Sequence, residues 1–386
     1  MALAAAIAPS GALALPENFD QAIAALQAVG PEGQGNPDAA TAWKTLSTAE
    51  GDALLPLLGA METANPLARN WLRSAAETIA ERELAAGKAL PAADLGAFLL
   101  DTRQSPRARR LAFDLVARVD PDTASALVPG MLNDPSTELR RDAVQRLMDS
   151  AAELAGSEDR KNAAIILYRQ ALNAARDVDQ IREIAKQLTE KLGQEIDLPR
   201  HFGFLMEWRV IAPFDNTGRA GFDTVFPPEN GVDLDAAYPG KDGEVKWREL
   251  VGTDDYGMID FNKPFGMLKE VTGYAHTEFN AARATPAELR LGCKNAWKIW
   301  LNGELVFGRD EYHRGARIDQ YKLPVQLKEG KNTLLVKLCQ NEQTQSWTVE
   351  WEFQLRVCDA TGTAILAADR PETKKAETSR RRVGNP

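Results

Sequence analysis

The stretch Lys298-Ile299-Trp300-Leu301-Asn302-Gly303-Glu304-Leu305-Val306 constrains the fold of this chain more than any other. Asn-Gly is the pair that best tolerates the positive φ angles of a two-residue type I′ turn, and β-forming runs flank it on both sides, so a β-hairpin is predicted. Side chains alternate along a strand, which puts Trp297, Ile299 and Leu301 on one face and Lys298 and Trp300 on the other. The first face belongs to a core. Trp300 then either lies under the loop after the hairpin, 308–321, which makes the hairpin structural, or stands exposed beside it as a binding surface.

The 386 residues suit two or three domains, and the two halves are built differently. Two of the eight tryptophans, Trp43 and Trp71, fall in the first half, and the other six follow residue 200. From 16 to 198 the chain is rich in Ala and Leu, poor in β-branched residues and punctuated by Pro and Asp, which is helical composition. Three helix starts share a form: Asn65-Pro66, Ser105-Pro106 and Asp134-Pro135. In each, a side-chain acceptor can cap free N–H groups while proline takes the first helical position, where a missing donor costs nothing. Their prolines are spaced 40 and 29 residues apart, in the range of helical-repeat periods. Ala108, Leu111, Ala112, Leu115 and Val119 recur at helical spacing, as do Leu139, Ala143, Leu147 and Met148. A partner helix is predicted over 121–132, and two more over 159–175 and 178–192, the last ended by Gly193 as a left-handed cap. Arg107, Arg109, Arg110, Arg140, Arg141 and Arg146 read as a solvated helix surface paired with neighbouring carboxylates rather than as an anion site.

After 199 the period changes to two, between turn signals such as Asn230-Gly231, Pro239-Gly240 and Asp242-Gly243. Strands are predicted over 208–214, 274–279, 287–293, 322–327, 332–339 and 351–358, besides the hairpin. Leu323, Val325 and Leu327 alternate inward, as do Leu334, Val336 and Leu338, and Trp351, Phe353, Leu355 and Val357. These are half-buried strands of a two-sheet sandwich. If the last two pair as a hairpin through 341–350, Cys339 and Cys358 lie about 20 Å apart, too far for a disulfide. Buried free thiols are expected at Cys293, Cys339 and Cys358.

The pattern Asp134-Pro135 followed by Arg140-Arg141-Asp142-Ala143-Val144 and Leu147 resembles HEAT repeats, and Ala164, Tyr168, Ala171 and Leu172 are similar to one tetratricopeptide hairpin. An irregular helical bundle is the alternative. Lys298 through Val306, followed by Leu327-Lys328-Glu329-Gly330-Lys331-Asn332-Thr333-Leu334-Leu335-Val336-Lys337, resembles the signature of galactose-binding-like jelly rolls, which include sugar-binding modules attached to glycoside hydrolases. The whole chain resembles planctomycete-type HEAT-repeat proteins with a C-terminal sandwich of this kind, a family of uncharacterised role. The resemblance implies a multidomain α-then-β chain, 16–198 as an α-helical HEAT-like repeat domain and 199–366 as an antiparallel β-sandwich (jelly roll, galactose-binding-like); the residues themselves give 1–15 as a signal-peptide remnant or disordered terminus and 367–386 as a disordered basic tail.

The formal charge of −9 disfavours a nucleic-acid partner, since phosphate neutralisation needs an excess of Lys and Arg. With no apolar run of about 18 residues, no membrane insertion is expected. The start, with its Ala-rich run and Ala-x-Ala ending but no basic region, reads as a secretory signal lacking its front, which places the protein in the periplasm or at the cell surface; a cytoplasmic protein with a disordered terminus is the alternative. The three histidines, His201, His276 and His313, are far apart in sequence and form no triad. P-loop, Rossmann, nucleophile-elbow and HExxH patterns are absent. No catalytic residue, metal ligand or cofactor is therefore assigned, and the acidic run 254–262 reads as a turn rather than a calcium loop. Recognition is expected around the loop 308–321, where aromatic rings that stack on sugars or peptides sit beside groups that make bidentate polar contacts: Trp300, Arg309, Tyr312, His313, Arg317 and Asp319. In the competing view the loop only covers the sheet, with Arg317 and Asp319 as an internal pair. The functional expectation is a non-catalytic scaffold whose helices contact a protein and whose sandwich binds carbohydrate. A purely structural interaction protein and a glycoside hydrolase or other hydrolase accessory are its alternatives.

Overall fold

A computed structural model describes Leu15 and residues 17–370. The expected signal-like start and nearly all of the expected basic tail lie outside the described residues. The chain divides into two compact units, one ending at Leu192 and one beginning at Gly193.

The first unit is helical, and its helices pack mainly on sequence neighbours: Phe19–Gln27 on Asn36–Ser47, Leu54–Ala60 on Pro66–Ala85, Ala92–Leu100 on Pro106–Val119, and Thr137–Ala155 on Lys161–Ala174. One apolar core runs from Phe19 to Ala143. Pro66 and Pro106 occupy first-turn positions as the shared form of their helix starts predicts, but Ser105 makes no side-chain cap. Asn65 caps its helix fully, accepting from the N–H groups of Leu67 and Ala68 at 2.9 and 3.0 Å while its amide donates to the Val29 carbonyl at 2.6 Å. Asn65→Ala should therefore destabilise the helical unit by about 1–2 kcal/mol, read as a lowered urea midpoint; an unchanged midpoint would show that the cap contributes nothing.

The third expected start is displaced. Its helix is Thr137–Ala155 with Ser136 as cap, and Pro135 stays outside. The physical reason is Asp134, whose carboxylate is taken up by Arg109 in a bidentate pair of 2.7 and 2.6 Å, both side chains buried. Arg140 is buried too, its Nε donating to the Asp134 carbonyl. Of the cluster, Arg109, Arg110 and Arg141 pair with carboxylates as expected and Arg146 reaches Ser125 instead, but Arg109 and Arg140 lie inside the fold instead of on a solvated face. Arg110 reaches Asp114 and Asp142, and Arg141 reaches Asp177 and Asp179.

The second unit opens with a short helix, Leu198–Phe202. Its strands are β1 (Glu207–Asp215), β2 (Ala237–Pro239), β3 (Glu244–Lys246), β4 (Arg248–Val251), β5 (Met258–Asp260), β6 (Val271–Ala281), β7 (Thr285–Cys293), β8 (Ala296–Leu301), β9 (Glu304–Arg309), β10 (Tyr321–Leu327), β11 (Gly330–Gln340) and β12 (Glu352–Cys358). They form a six-stranded sheet ordered β4-β1-β6-β11-β8-β9, a four-stranded sheet ordered β10-β7-β12-β5, and the small β2–β3 pair, with every pairing antiparallel. The two large sheets face one another across a common core, with Trp208 of β1 edge-on to Phe353 of β12 at 5.0 Å. The expected hairpin is β8–β9. Asn302 and Gly303 take φ of 54° and 85°, and Trp297, Ile299 and Leu301 enter the core.

Asn302 and Asn332 are turn chemistry. Asn302 Oδ1 accepts from Thr333 N and its amide donates to Asn332 Oδ1, tying the hairpin to the start of β11. Asn332, fully buried, donates to the carbonyls of Lys328 and Gly330 and accepts from Lys328 N, closing the turn before β11. In the acidic run, Asp254 accepts from the N–H groups of Tyr256 and Met258, and Asp260 from Asn262.

Two expectations are corrected. β11 and β12 do not pair; they lie in opposite sheets, so the loop between them bridges the sandwich. Cys293, Cys339 and Cys358 are buried free thiols, and burial pushes the first up to about 12 and the other two to about 11. Secondly, Trp300 is not covered by the loop 308–321. A layer drawn from 226–247 packs on the outer face of the six-stranded sheet. There Phe226, Val232, Leu234, Val245 and Trp247 form a second small core with Ile211, Phe214, Tyr274, Leu335 and Trp300.

Candidate functional site

The loops at one end of the sandwich bring together residues far apart in sequence. The 310–320 segment runs from β9 in one sheet to β10 in the other, the 341–351 segment crosses back from β11 to β12, and 216–222 follows β1. Buried amides hold these loops from below. Gln340 Nε2 donates to the carbonyls of Thr348 and Glu350. Asn295 donates to Glu350 O and accepts from Glu352 N. Asn216 donates to Gln340 O at 2.9 Å. Thr348, fully buried, turns its hydroxyl to the carbonyls of Gln343 and Gln345. A short 3-10 turn at Ser346–Thr348 results, and it holds Trp347 outward with 58% of its surface exposed.

Two of the sequence-predicted residues brace that ring. His313 meets Trp347 edge-on, centroids 5.5 Å apart and planes at 87°. The imidazole is itself fixed, Nε2 lying 2.9 Å from Asn341 Oδ1 and the backbone N–H donating to Lys294 O at 2.6 Å. Tyr312 lies beside His313, with the Arg219 guanidinium 5.2 Å above its ring and its hydroxyl accepting from Asn216 Nδ2. Burial pushes the Tyr312 phenol well above the usual tyrosine range. Arg219 is clamped by Glu342 at 3.1 and 2.5 Å, and this hydrogen bonding holds the Glu342 carboxyl at about 2. The result is an exposed indole on a rigid, hydrogen-bonded base, rimmed by formal charges that are already neutralised. Such a surface can stack on a flat apolar face.

The other predicted residues separate from it. Arg309 ends β9 on the surface and pairs with Glu311 at 3.1 Å. Arg317 is exposed, and its carbonyl lies so close over β7 that a Cβ on Gly292 would stand 2.4 Å from it. Asp319 pairs not with Arg317 but with Arg290 and Arg356, at 2.7 and 2.6 Å, on the outer face of the four-stranded sheet. Trp300 is 8% exposed in the second core. Sequence reasoning missed Trp347, Arg219, Asn216 and Asn341. For Trp347 a signal existed, because it is the lone ring in the polar run Gln343-Thr344-Gln345-Ser346-Trp347-Thr348, where no core period requires one.

No protein-family model and no curated protein matches the chain. Among solved structures, a family 35 carbohydrate-binding module from Clostridium thermocellum matches at 14% identity and a TM-score of 0.17, covering 23% of this chain and 72% of the module. A β-glucosidase from Kluyveromyces marxianus in complex with glucose matches at 17% identity and 0.19, covering 23% of this chain and 11% of that enzyme. A β-glucuronidase from Ruminococcus gnavus matches at 13% identity and 0.23, covering 40% and 28% respectively.

Proposed function

We propose that this is a non-catalytic binding and scaffold protein of the cell envelope, in which the sandwich, of jelly-roll type, takes up carbohydrate at the loop surface around Trp347 and the helical unit, a HEAT-like repeat stack, contacts a protein. The observation that carries the carbohydrate reading is Trp347. Exposing a large ring on a deliberately braced turn forgoes the burial that a structural tryptophan would gain, and a rigid indole suits the apolar face of a pyranose. The protein-contact reading draws on Leu67, Leu100 and Ile166, large apolar side chains exposed on helices of the first unit. Export is supported by the small-residue pattern at the start of the chain.

The test is a glycan array with the full chain and its Trp347→Ala variant. Binding to at least one glycan is expected, and the variant should lose about tenfold or more in affinity, the loss of one aromatic stack and its buried area. A folded wild-type chain that binds no glycan sinks the carbohydrate reading, and recovery of one stoichiometric protein partner through the β unit would then favour a purely structural scaffold. Sugar release from a bound glycan would overturn the non-catalytic reading.

A further inference from the structure

On the outer face of the six-stranded sheet, two clefts of about 460 and 410 Å³ adjoin, and Leu234, His276 and Glu278 line both. The larger is bounded by Trp300 and Leu335 of the sheet and by Glu229 and Val232 of the covering layer. None of these residues belongs to the Trp347 surface. His276 and Glu278 stand two positions apart on β6, so they share a face about 7 Å apart. His276 is only 5% exposed, yet its imidazole has no hydrogen-bond partner among the described residues, and it opens into both clefts. Its ring nitrogens are therefore free to meet a ligand that enters the clefts. Burial holds His276 below the ordinary histidine range, against the pull of Glu278, so near neutral pH it offers one nitrogen as an acceptor.

The charge lining the groove is one-sided. Glu207, Glu229, Glu249 and Glu278 face it against a single Arg209, which is already paired with Glu249 at 2.7 Å. Lys331 pairs with Glu278 at 2.7 Å, but both side chains are about half exposed or more, and such a pair is weak and easily displaced. Glu229 receives Lys337 and Tyr274 on one oxygen only, Oε1. Trp300 adds an aromatic wall able to attract a cation.

We propose that this groove binds a small organic ammonium ion, its ring-sized apolar body against Trp300, Leu335 and Val232 and its ammonium group donating to Glu278 and His276. The lining selects against the other classes of that size. A carboxylate meets a lining whose glutamates outnumber the cations paired with them, and a neutral alcohol forgoes the charge-assisted bond.

The experiment is calorimetric titration of the full chain, near neutral pH, with cyclohexylammonium chloride, cyclohexanol and cyclohexanecarboxylate. Saturable 1:1 binding of the amine is expected, with cyclohexanol about tenfold weaker and the carboxylate silent. Glu278→Gln should weaken the amine by about tenfold. Lys331→Gln, which removes the competing cation from an exposed site and leaves the fold intact, should strengthen it by about twofold or more. Absence of saturable amine binding, equal binding of cyclohexanol, or an affinity unmoved by both substitutions would each overturn the assignment.

Discussion

Asp319→Ala should lower the stability of the β unit by about 3–5 kcal/mol, because it strips one carboxylate from two buried guanidinium groups at once. Asp319 Oδ2 lies 2.7 Å from Arg290 Nη1 and 2.6 Å from Arg356 Nη2, and Oδ1 lies 2.6 Å from Arg356 Nε. The two arginines, about 5% and 3% exposed, reach onward to the carbonyls of Ala360, Phe202 and Gly362, so the clamp joins the 310–320 loop to both ends of the unit. Asp319→Asn keeps the shape and one acceptor and should cost less, about 2 kcal/mol. Burial pushes the Asp319 carboxyl up, but Arg356 and Arg290 outweigh it and hold it below the usual aspartate range. With the folded value depressed, the contribution is complete above the unfolded value near 3.9 and is lost as pH falls through the folded one, so wild type should shed stability in acid more steeply than Asp319→Asn. Urea unfolding at neutral and acid pH measures both. A loss under about 1 kcal/mol for Asp319→Ala would mean that the clamp holds nothing.

The second large effect is expected at Lys337. Its ammonium group, fully buried on the outer face of β11, spends its three donors on the carbonyls of Phe222 and Thr224, at 3.1 and 2.7 Å, and on Glu229 at 2.8 Å, while Tyr274 also donates to Glu229. The covering layer is thereby pinned to the sheet by one side chain. Lys337→Met leaves Glu229 buried without its cation and two carbonyls unpaired, and should cost about 3 kcal/mol or more. The loss should be local. Amide hydrogen exchange in 217–247 should quicken by about a hundredfold, while β6 and β7 retain their protection. Adding Glu229→Gln to that variant should restore part of the stability, since the stranded charge is gone. Uniform acceleration across the whole unit would show that the layer and the sandwich open together and that Lys337 is no local anchor.

Much of the fold was legible because it is written in local rules. Asn302-Gly303 selects its turn, Leu334, Val336 and Leu338 alternate inward, and Asn65 caps its helix from two residues away. The site was legible only in part. Tyr312 and His313 reach the loop surface that a mixed aromatic and charged segment suggests, whereas Asp319, seven residues after Tyr312, is drawn onto the far sheet by two arginines. Trp347 escaped notice because the loop between β11 and β12 reads as a plain hairpin connection until those strands are seen to lie in different sheets.

The sequence by itself determined which side chains share a face, where helices and turns begin, and that a helical half precedes a β half, since these depend on backbone periodicity and on contacts within a few residues. Tertiary structure alone decided what covers each face. Alternation puts Trp300 opposite Trp297, but whether residues 226–247 or 308–321 lie over it depends on long-range packing and on buried partners such as Lys337 with Glu229. The same holds for charge. Asp134 and Asp319 read locally as a helix cap and a loop acid, and each became the buried counter-charge of arginines distant in sequence, because a guanidinium taken out of water must find its carboxylate wherever the fold brings one within reach.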